Sequence, residues 1–109
     1  MRSHLGFAAN VLQIIKMMTN KLLPLKLYTF GRSPNSVQAC QNLKAICEAH
    51  FSDRFSIEVI DLSEQSHRAI EDGIMLTPTM IIGSSPPVTV IGDLSDAPNV
   101  IDLLRSASP

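Results

Sequence analysis

The sequence predicts a single α/β domain built around a strand–helix–strand unit, and three observations lead to that prediction. The chain has 109 residues, of which 45% are hydrophobic, and this is enough for one domain with a core. Alternating side chains predict a strand over Leu23 to Phe30, and a helical pattern then runs to about His50. A run rich in β-branched residues, Phe55 to Leu62, predicts a second strand parallel to the first, because a helical connection of this length makes a right-handed βαβ unit.

The first strand and helix have clear signals at the residue level. Alternation places Leu25, Leu27 and Thr29 on one face of the sheet. In the turn that follows, Ser33 suits the N-cap and Pro34 suits the first helical position. The residues predicted to form the inner stripe of the helix are Val37, Cys40, Leu43 or Lys44, Ile46 and Cys47.

The second half of the chain gives weaker signals. Residues 63–74 predict a helix, the short apolar runs 80–82 and 88–91 are candidate strands, and Ser95 is the predicted cap of a last helix. Short apolar runs do not separate strand from helix by periodicity alone, so the assignment of this half stays ambiguous. The residues predicted to face inward from its two helices are Ala69, Ile70, Ile74, Val100, Ile101, Leu103 and Leu104.

Residues 1–20 form an N-terminal extension to the predicted domain, which spans residues 21–109. The extension lacks the long apolar run of a membrane span and the cleavage site of a signal peptide. Three interpretations stay open: a docking or oligomer-forming helix, contact with a membrane surface, or a natural start at Met17 or Met18. The apolar residues that fall at helical spacing are Leu5, Ala8, Val11, Leu12, Ile15 and Met18.

Charge and cysteine usage weigh against several classes of protein. Nine basic and ten acidic residues give a net charge of −1, so no basic field is expected to hold nucleic acid or an anionic membrane. Cys40 and Cys47 lie about 10 Å apart along one helix, too far for a disulfide. Two free thiols favour the cytoplasm. Cys47 and His50 are three residues apart, but no second pair of ligands completes a metal site, and no cofactor is expected.

The turn before the first helix resembles the thioredoxin fold. In that fold two cysteines bracket the turn, and the helix N-terminus favours the thiolate. Aligned through Pro34, the cysteine positions fall on Arg32 and Asn35, which cannot attack a disulfide. Thr77-Pro78 resembles the cis-proline entry to the third strand of the fold. The sequence therefore predicts a thioredoxin-like domain without catalytic residues, which acts by binding a partner.

Several short motifs between residues 23 and 104 resemble the KaiB family of bacterial circadian-clock proteins. Each motif is short, but their order and spacing match the family, and the set is specific. In chain order they are Leu25-Lys26-Leu27-Tyr28, Gly31, Pro34-Asn35-Ser36-Val37, Val59-Ile60-Asp61, Ile74-Met75-Leu76-Thr77-Pro78-Thr79, Pro86-Pro87 and Ile91-Gly92-Asp93-Leu94-Ser95.

The resemblance implies a non-enzymatic regulator that binds a KaiC-like ATPase, and a KaiA-like protein where one exists. It also implies two folds: a thioredoxin-like form that binds KaiC, and a self-associated resting form, a tetramer or dimer, whose second half is strand–helix–helix–strand. The alternative is a thioredoxin-like sensor or adaptor domain that binds another protein, such as a histidine kinase. The candidate partner-contact residues are Lys26, Arg32, Asn35, Glu71 and Asp72. The candidates for slow isomerisation in a fold switch are Pro78, Pro86 and Pro87.

The charges of the chain depart from the pattern of clock KaiB proteins at several places. Because charge complementarity influences partner choice, we expect the partner to be a divergent KaiC-like ATPase. The places where clock KaiB proteins carry basic residues are here Gln38, Gln41, Glu58, Gly73 and Val88-Thr89-Val90.

Overall fold

A four-stranded sheet with helices on both faces forms the fold in the computed structural model, which describes residues 22–108. The strand order is β2-β1-β3-β4; β1 is parallel to β2, and β3 is antiparallel to both of its neighbours. The elements in chain order are β1 Leu23–Thr29, α1 Pro34–His50, β2 Phe55–Asp61, α2 His67–Asp72, β3 Thr79–Ile82, β4 Val88–Ile91 and α3 Ala97–Ala107.

This topology confirms the predicted parallel βαβ unit and resolves the ambiguous second half. After β2 the chain forms a helix, two strands and a helix, which differs from the strand–helix–helix–strand order that the resemblance implies for the resting form. The predicted helix in residues 1–20 lies outside the described residues. Within residues 22–108, no helix is both long enough and apolar enough to cross a membrane.

The main core lies between the sheet and the two longer helices, α1 and α3. On β1, Leu25 and Leu27 point to this face, and in register with them on β3 are Ile82 and Met80. Burial of this apolar surface is the main stabilising contribution to the fold. The buried helix residues of this core are Ala39, Leu43, Ile46, Val100 and Leu104.

The inner stripe of α1 differs from the prediction. Val37 is 41% exposed, whereas Ser36 and Ala39 are buried. The Ser36 hydroxyl accepts a hydrogen bond of 3.1 Å from the backbone N–H of Phe30, which turns Ser36 towards the sheet and sets the rotation of the helix. Cys40 and Cys47 therefore lie half-buried at the edge of the stripe, as free thiols.

Helix α2 is shorter than predicted and lies on the opposite face of the sheet. It ends at Gly73, whose φ of +69° is a left-handed conformation that favours glycine. Ala69 packs inward against the second core cluster, and so does Ile74 just beyond the helix. Ile70 was expected to face inward, but it is 88% exposed, because α2 turns Arg68 and Asp72 towards the sheet.

The caps and strand ends also differ in detail from the prediction. Ser33 occupies the N-cap of α1 without a side-chain hydrogen bond. The N-cap of α3 is Asp96, which accepts from Asn99, whereas Ser95 donates its backbone N–H to Asp93. Each of the first two strands ends one residue earlier than predicted. The Thr77–Pro78 peptide bond is cis, as the resemblance implied.

Candidate partner-binding surface

The turn that replaces a redox motif is held in place by a carboxylate at the end of β2. The backbone N–H of Gly31 donates to Asp61 Oδ1 at 2.8 Å, and the Ser63 hydroxyl donates to the same oxygen at 2.8 Å. These hydrogen bonds lower the pKa of the Asp61 carboxyl, and the bond from Gly31 has the largest effect. Gly31 itself has φ +59°, where a side chain would be strained. Asp61 thus positions the turn and leaves Arg32 and Asn35 exposed.

A polar network joins α2 to the sheet face on its side. The hydroxyl of Tyr28, on β1, donates to Asp72 Oδ2 at 2.6 Å, and Arg68 Nε donates to the same oxygen at 3.3 Å. The guanidinium Nη1 of Arg68 also lies 3.9 Å from Oε2 of Glu58, on β2. We call these four residues, Tyr28, Glu58, Arg68 and Asp72, the α2 latch. Glu58 is therefore matched by a cation on the facing helix.

The hydrogen bond between Tyr28 and Asp72 shifts the pKa values of these two groups in opposite directions. Burial, together with the hydrogen bond to Asp72, raises the pKa of Tyr28 to about 12. The same hydrogen bond lowers the pKa of Asp72, and the nearby charges of Arg68 and Lys26 act in the same direction. Both shifts favour a neutral phenol donating to a charged carboxylate, so the latch is in its bonded state across the neutral range.

Exposed apolar side chains surround the two clefts beside α2. Met75 is 93% exposed, and Phe30, Leu76 and Ile91 are each more than half exposed. One cleft, of about 280 Å³, runs between Phe30 and Leu76, and the other, of about 460 Å³, runs between Leu76 and Ile91. Ile74, Met75 and Leu76 line both clefts, so the apolar area is continuous. We call Phe30, Met75, Leu76 and Ile91 the Met75 surface.

The predicted contact residues do not form one cluster. Lys26 lies half-buried on β1, opposite Glu58 in the register, and Asp72 belongs to the α2 latch. Glu71 is exposed on α2, whereas Arg32 and Asn35 lie at the turn next to Phe30. The structure thus divides these five residues between the turn and the α2 side of the sheet.

Of the residues that dominate this side of the molecule, the sequence analysis singles out Asp72 alone. It gives Tyr28 no role, although this is the single tyrosine of the chain. Arg68 and Asp72 stand four apart, a spacing typical of a helical ion pair, and that signal was available. Nothing local marks Met75 and Leu76 as exposed, because an apolar pair beside a strand is typical of a core.

The chemistry open to this region is binding. Arg32 and Asn35 supply no thiol at the turn, and burial raises the pKa of both Cys40 and Cys47, which stand elsewhere on α1. Residues 22–108 contain no group of three or more potential metal ligands. Exposed apolar side chains next to charged ones are typical of protein–protein interfaces.

Comparison with protein families gives a match to the KaiB domain over residues 26–106, most of the chain. The circadian clock protein KaiB3 of Synechocystis is 42% identical over 78 residues, which cover 71% of this chain and 76% of that protein. The circadian clock oscillator protein KaiB of Gloeothece citriformis is 44% identical over 82 residues, covering 74% of this chain and 77% of that one.

Two solved structures show the thioredoxin-like fold. Chloroplastic thioredoxin z superposes with a TM-score of 0.69 at 15% identity, over 90% of this chain and 88% of its own. The N-terminal domain of SasA from Synechococcus elongatus superposes with a TM-score of 0.62 at 24% identity, over 76% of this chain and 79% of its own. At these identities the likeness concerns the fold alone, and it confirms the predicted thioredoxin-like α/β class.

Proposed function

Since this chain belongs to the KaiB family, we propose that it is a non-enzymatic regulator that binds a KaiC-type ATPase in a circadian, timing or stress-response system. The observation that carries this proposal is the Met75 surface, a continuous apolar area on the partner-binding form of the fold. Small proteins seldom expose such an apolar area to solvent unless a partner binds to it.

The charged residues around the Met75 surface give it the character of an interface. Arg32 and Asn35 stand exposed at the turn beside Phe30, and Glu71 stands exposed on α2. In this arrangement the apolar centre supplies affinity, and the polar rim supplies partner choice. Lys26 and Asp72 are half-buried beside this centre, and we assign them the indirect role of holding α2 in place.

The experiment is a binding titration of the full chain against each KaiC homologue of the host, with ATP and with ADP. Met75→Asp places a charge in the centre of the surface without disturbing the core, since Met75 makes little contact with it. We expect the affinity to fall at least about 30-fold, the loss typical of a central interface residue. Ala45→Asp is the matched control, because it puts the same charge on an exposed position of α1, and we expect it to bind like the wild type.

The outcomes of this titration distinguish the KaiC-binding regulator from the sensor or adaptor domain. Binding that Met75→Asp abolishes and Ala45→Asp retains supports the proposal. No binding to any KaiC homologue, with either nucleotide, overturns it. In that case, capture of another protein such as a histidine kinase by the same surface would support the sensor or adaptor alternative.

A further inference from the structure

The edge of the sheet at β2 is open along its whole length among the described residues. In the strand order β2-β1-β3-β4, the seven-residue strand β2 pairs with β1 alone within residues 22–108. The strand at the other edge, β4, has four residues. An edge strand presents a row of backbone donors and acceptors that another strand can pair with. β2 therefore offers the longer of the two rows.

The ladder between β1 and β2 shows which residues direct their backbone groups outward. The carbonyl of Arg54 accepts a hydrogen bond of 3.2 Å from β1, and the N–H of Leu62 donates one of 2.8 Å to β1. Backbone groups of successive residues in a strand point to opposite sides, so the even-numbered residues of β2 bond to β1. The N–H and C=O groups of Phe55, Ile57 and Val59 consequently point away from β1, to the open edge.

β2 lacks the features that protect an edge strand from pairing. It contains no proline and no lysine, and its register with β1 runs without a bulge. Ile57 and Val59 are 41% and 50% exposed and line an open groove of about 460 Å³ between β2 and α1. The two charges of the strand are engaged within the chain, since Glu58 faces Arg68 and Asp61 holds the turn. The edge is thus long, partly apolar and free of a blocking charge.

The sequence of β2 is complementary to itself. When two copies lie antiparallel, two registers pair both Ile57 and Val59 with apolar residues. If Glu58 lies on the two-fold axis, two carboxylates oppose each other, which is destabilising. If Ile57 lies on the axis, Phe55 faces Val59 and Ser56 faces Glu58, so no like charges meet. The second register is therefore favoured.

We propose that two copies of this chain pair through β2, antiparallel and with Ile57 on the two-fold axis, which joins their four-stranded sheets into one. The outward backbone groups of Phe55, Ile57 and Val59 form about six hydrogen bonds across the axis. The occupant is a second copy because one strand supplies both sides of a closed two-fold contact. The net charge of −1 also gives little repulsion between copies.

This pairing covers the exposed apolar side chains of β2. A two-fold axis perpendicular to the sheet keeps the α1 sides of both copies on one face, so the Ile57 side chains meet there and each Val59 meets the partner's Phe55. The contact is small, and small contacts give weak association, so the dimer should dissociate on dilution. The inference uses no residue of the Met75 surface and is therefore independent of the proposed function.

The experiment is sedimentation equilibrium of the full chain from about 10 µM to 1 mM, with amide hydrogen exchange measured by NMR on the same samples. We expect a monomer–dimer equilibrium. As the dimer forms, exchange at the N–H groups of Phe55, Ile57 and Val59 should slow at least about tenfold. The signals of the residues after β2 should keep the thioredoxin-like pattern, which distinguishes this dimer from the resting form.

Three lysine substitutions test the contact and its register. Ile57→Lys places two ammonium groups against each other on the axis, and we expect dimerisation to weaken at least about 30-fold. Ser56→Lys, at the neighbouring exposed position, places the same charge opposite the partner's Glu58, and we expect dimerisation to strengthen about fivefold. Ala45→Lys adds the charge to an exposed position of α1 and should dimerise like the wild type.

Several outcomes would overturn the proposal. One is a monomer at every concentration, and another is a species larger than a dimer, because a closed two-fold contact stops at two copies. Protection of the outward N–H groups that does not depend on concentration also overturns it, since a segment of the same chain would then cover β2. A dimer that Ile57→Lys leaves intact, or that Ser56→Lys weakens, contradicts the contact or its register.

Discussion

At the scale of single residues, two part-buried hydrogen bonds to aspartates connect parts of the chain that are distant in sequence. Asp61 ties the turn at Gly31 to the end of β2, and Tyr28 ties β1 to Asp72 on α2. Both aspartates have a lowered pKa in the folded state, so the stability that they contribute is present above the pKa of the unfolded chain and is lost as the pH falls. The pKa of Tyr28 is raised in the folded state, so the stability that Tyr28 contributes is lost as the pH rises.

We predict that Tyr28 ionises at about pH 12 in the native protein. Because its pKa is raised from 10.0, the stability that it contributes is complete below pH 10.0 and is lost as the pH rises to about 12. The chain has one tyrosine and no tryptophan, so near-ultraviolet absorbance of the phenolate reports Tyr28 alone. A stopped-flow pH jump, read before unfolding, measures the native value, and the denatured chain supplies the reference. A native midpoint equal to the denatured one would refute the hydrogen bond to Asp72.

At the scale of elements, α2 is the helix held most weakly to the rest of the fold. It has six residues, none of them buried, and only Ala69 contributes an apolar contact from within it. An isolated helix of this length is unstable in water, so its structure depends on what it packs against. The α2 latch is therefore the principal attachment of this helix to the sheet.

We predict that Tyr28→Phe loosens α2 selectively. Loss of the hydroxyl removes a hydrogen bond to a charged group and so raises the equilibrium constant for local opening of α2 about tenfold. Amide hydrogen exchange at Gly73 and Ile74, whose N–H groups bond back to α2, measures this opening. Exchange in the middle of α1 should change much less.

The matched control for that measurement is Arg105→Ala, which removes an exposed ion pair with Asp102 on α3. Exposed pairs contribute little, so the exchange of α2 should stay at the wild-type rate. If amide hydrogen exchange in α1 and α2 were accelerated equally by Tyr28→Phe, this would contradict a local role for the latch.

At the scale of the whole molecule, the fold has one strongly packed face and one face with many exposed apolar side chains. The α1 and α3 side holds most of the apolar core, whereas the α2 side combines a small cluster, a polar network and the Met75 surface. The half of the chain after β2 contributes the elements that the family resemblance describes as rearranging. The hydrogen bond from Tyr28 to Asp72 joins β1 to the half of the chain that follows β2.

We predict that the free protein exchanges between this thioredoxin-like form and a self-associated resting form. Heteronuclear NMR over a concentration series should show a second set of signals for the residues after β2, in step with a larger size in solution, because mass action favours the oligomer. Tyr28→Phe should raise the population of the resting form several-fold, since the latch is a contact of the thioredoxin-like form. A single monomeric thioredoxin-like species at every concentration and temperature would contradict this prediction.

The sequence by itself determined the βαβ unit, the fold class and the family. The first strand, first helix and second strand have long periodic patterns, and local patterning decides such elements without help from the rest of the chain. The absence of cysteine at Arg32 and Asn35 likewise needed no structure.

Only the tertiary structure decided which residues face inward and which stay exposed. The rotation of α1 depends on the Ser36 bond to Phe30, and the exposure of Ile70 depends on Arg68 and Asp72 turning to the sheet. The 11-residue helix α3 buries Val100 and Leu104 as its periodicity predicts, but α2, β3 and β4 carry too few residues for a period to specify their faces. Contacts between elements distant in sequence specify them, and this is why the α2 latch and the Met75 surface emerge only when the chain is folded.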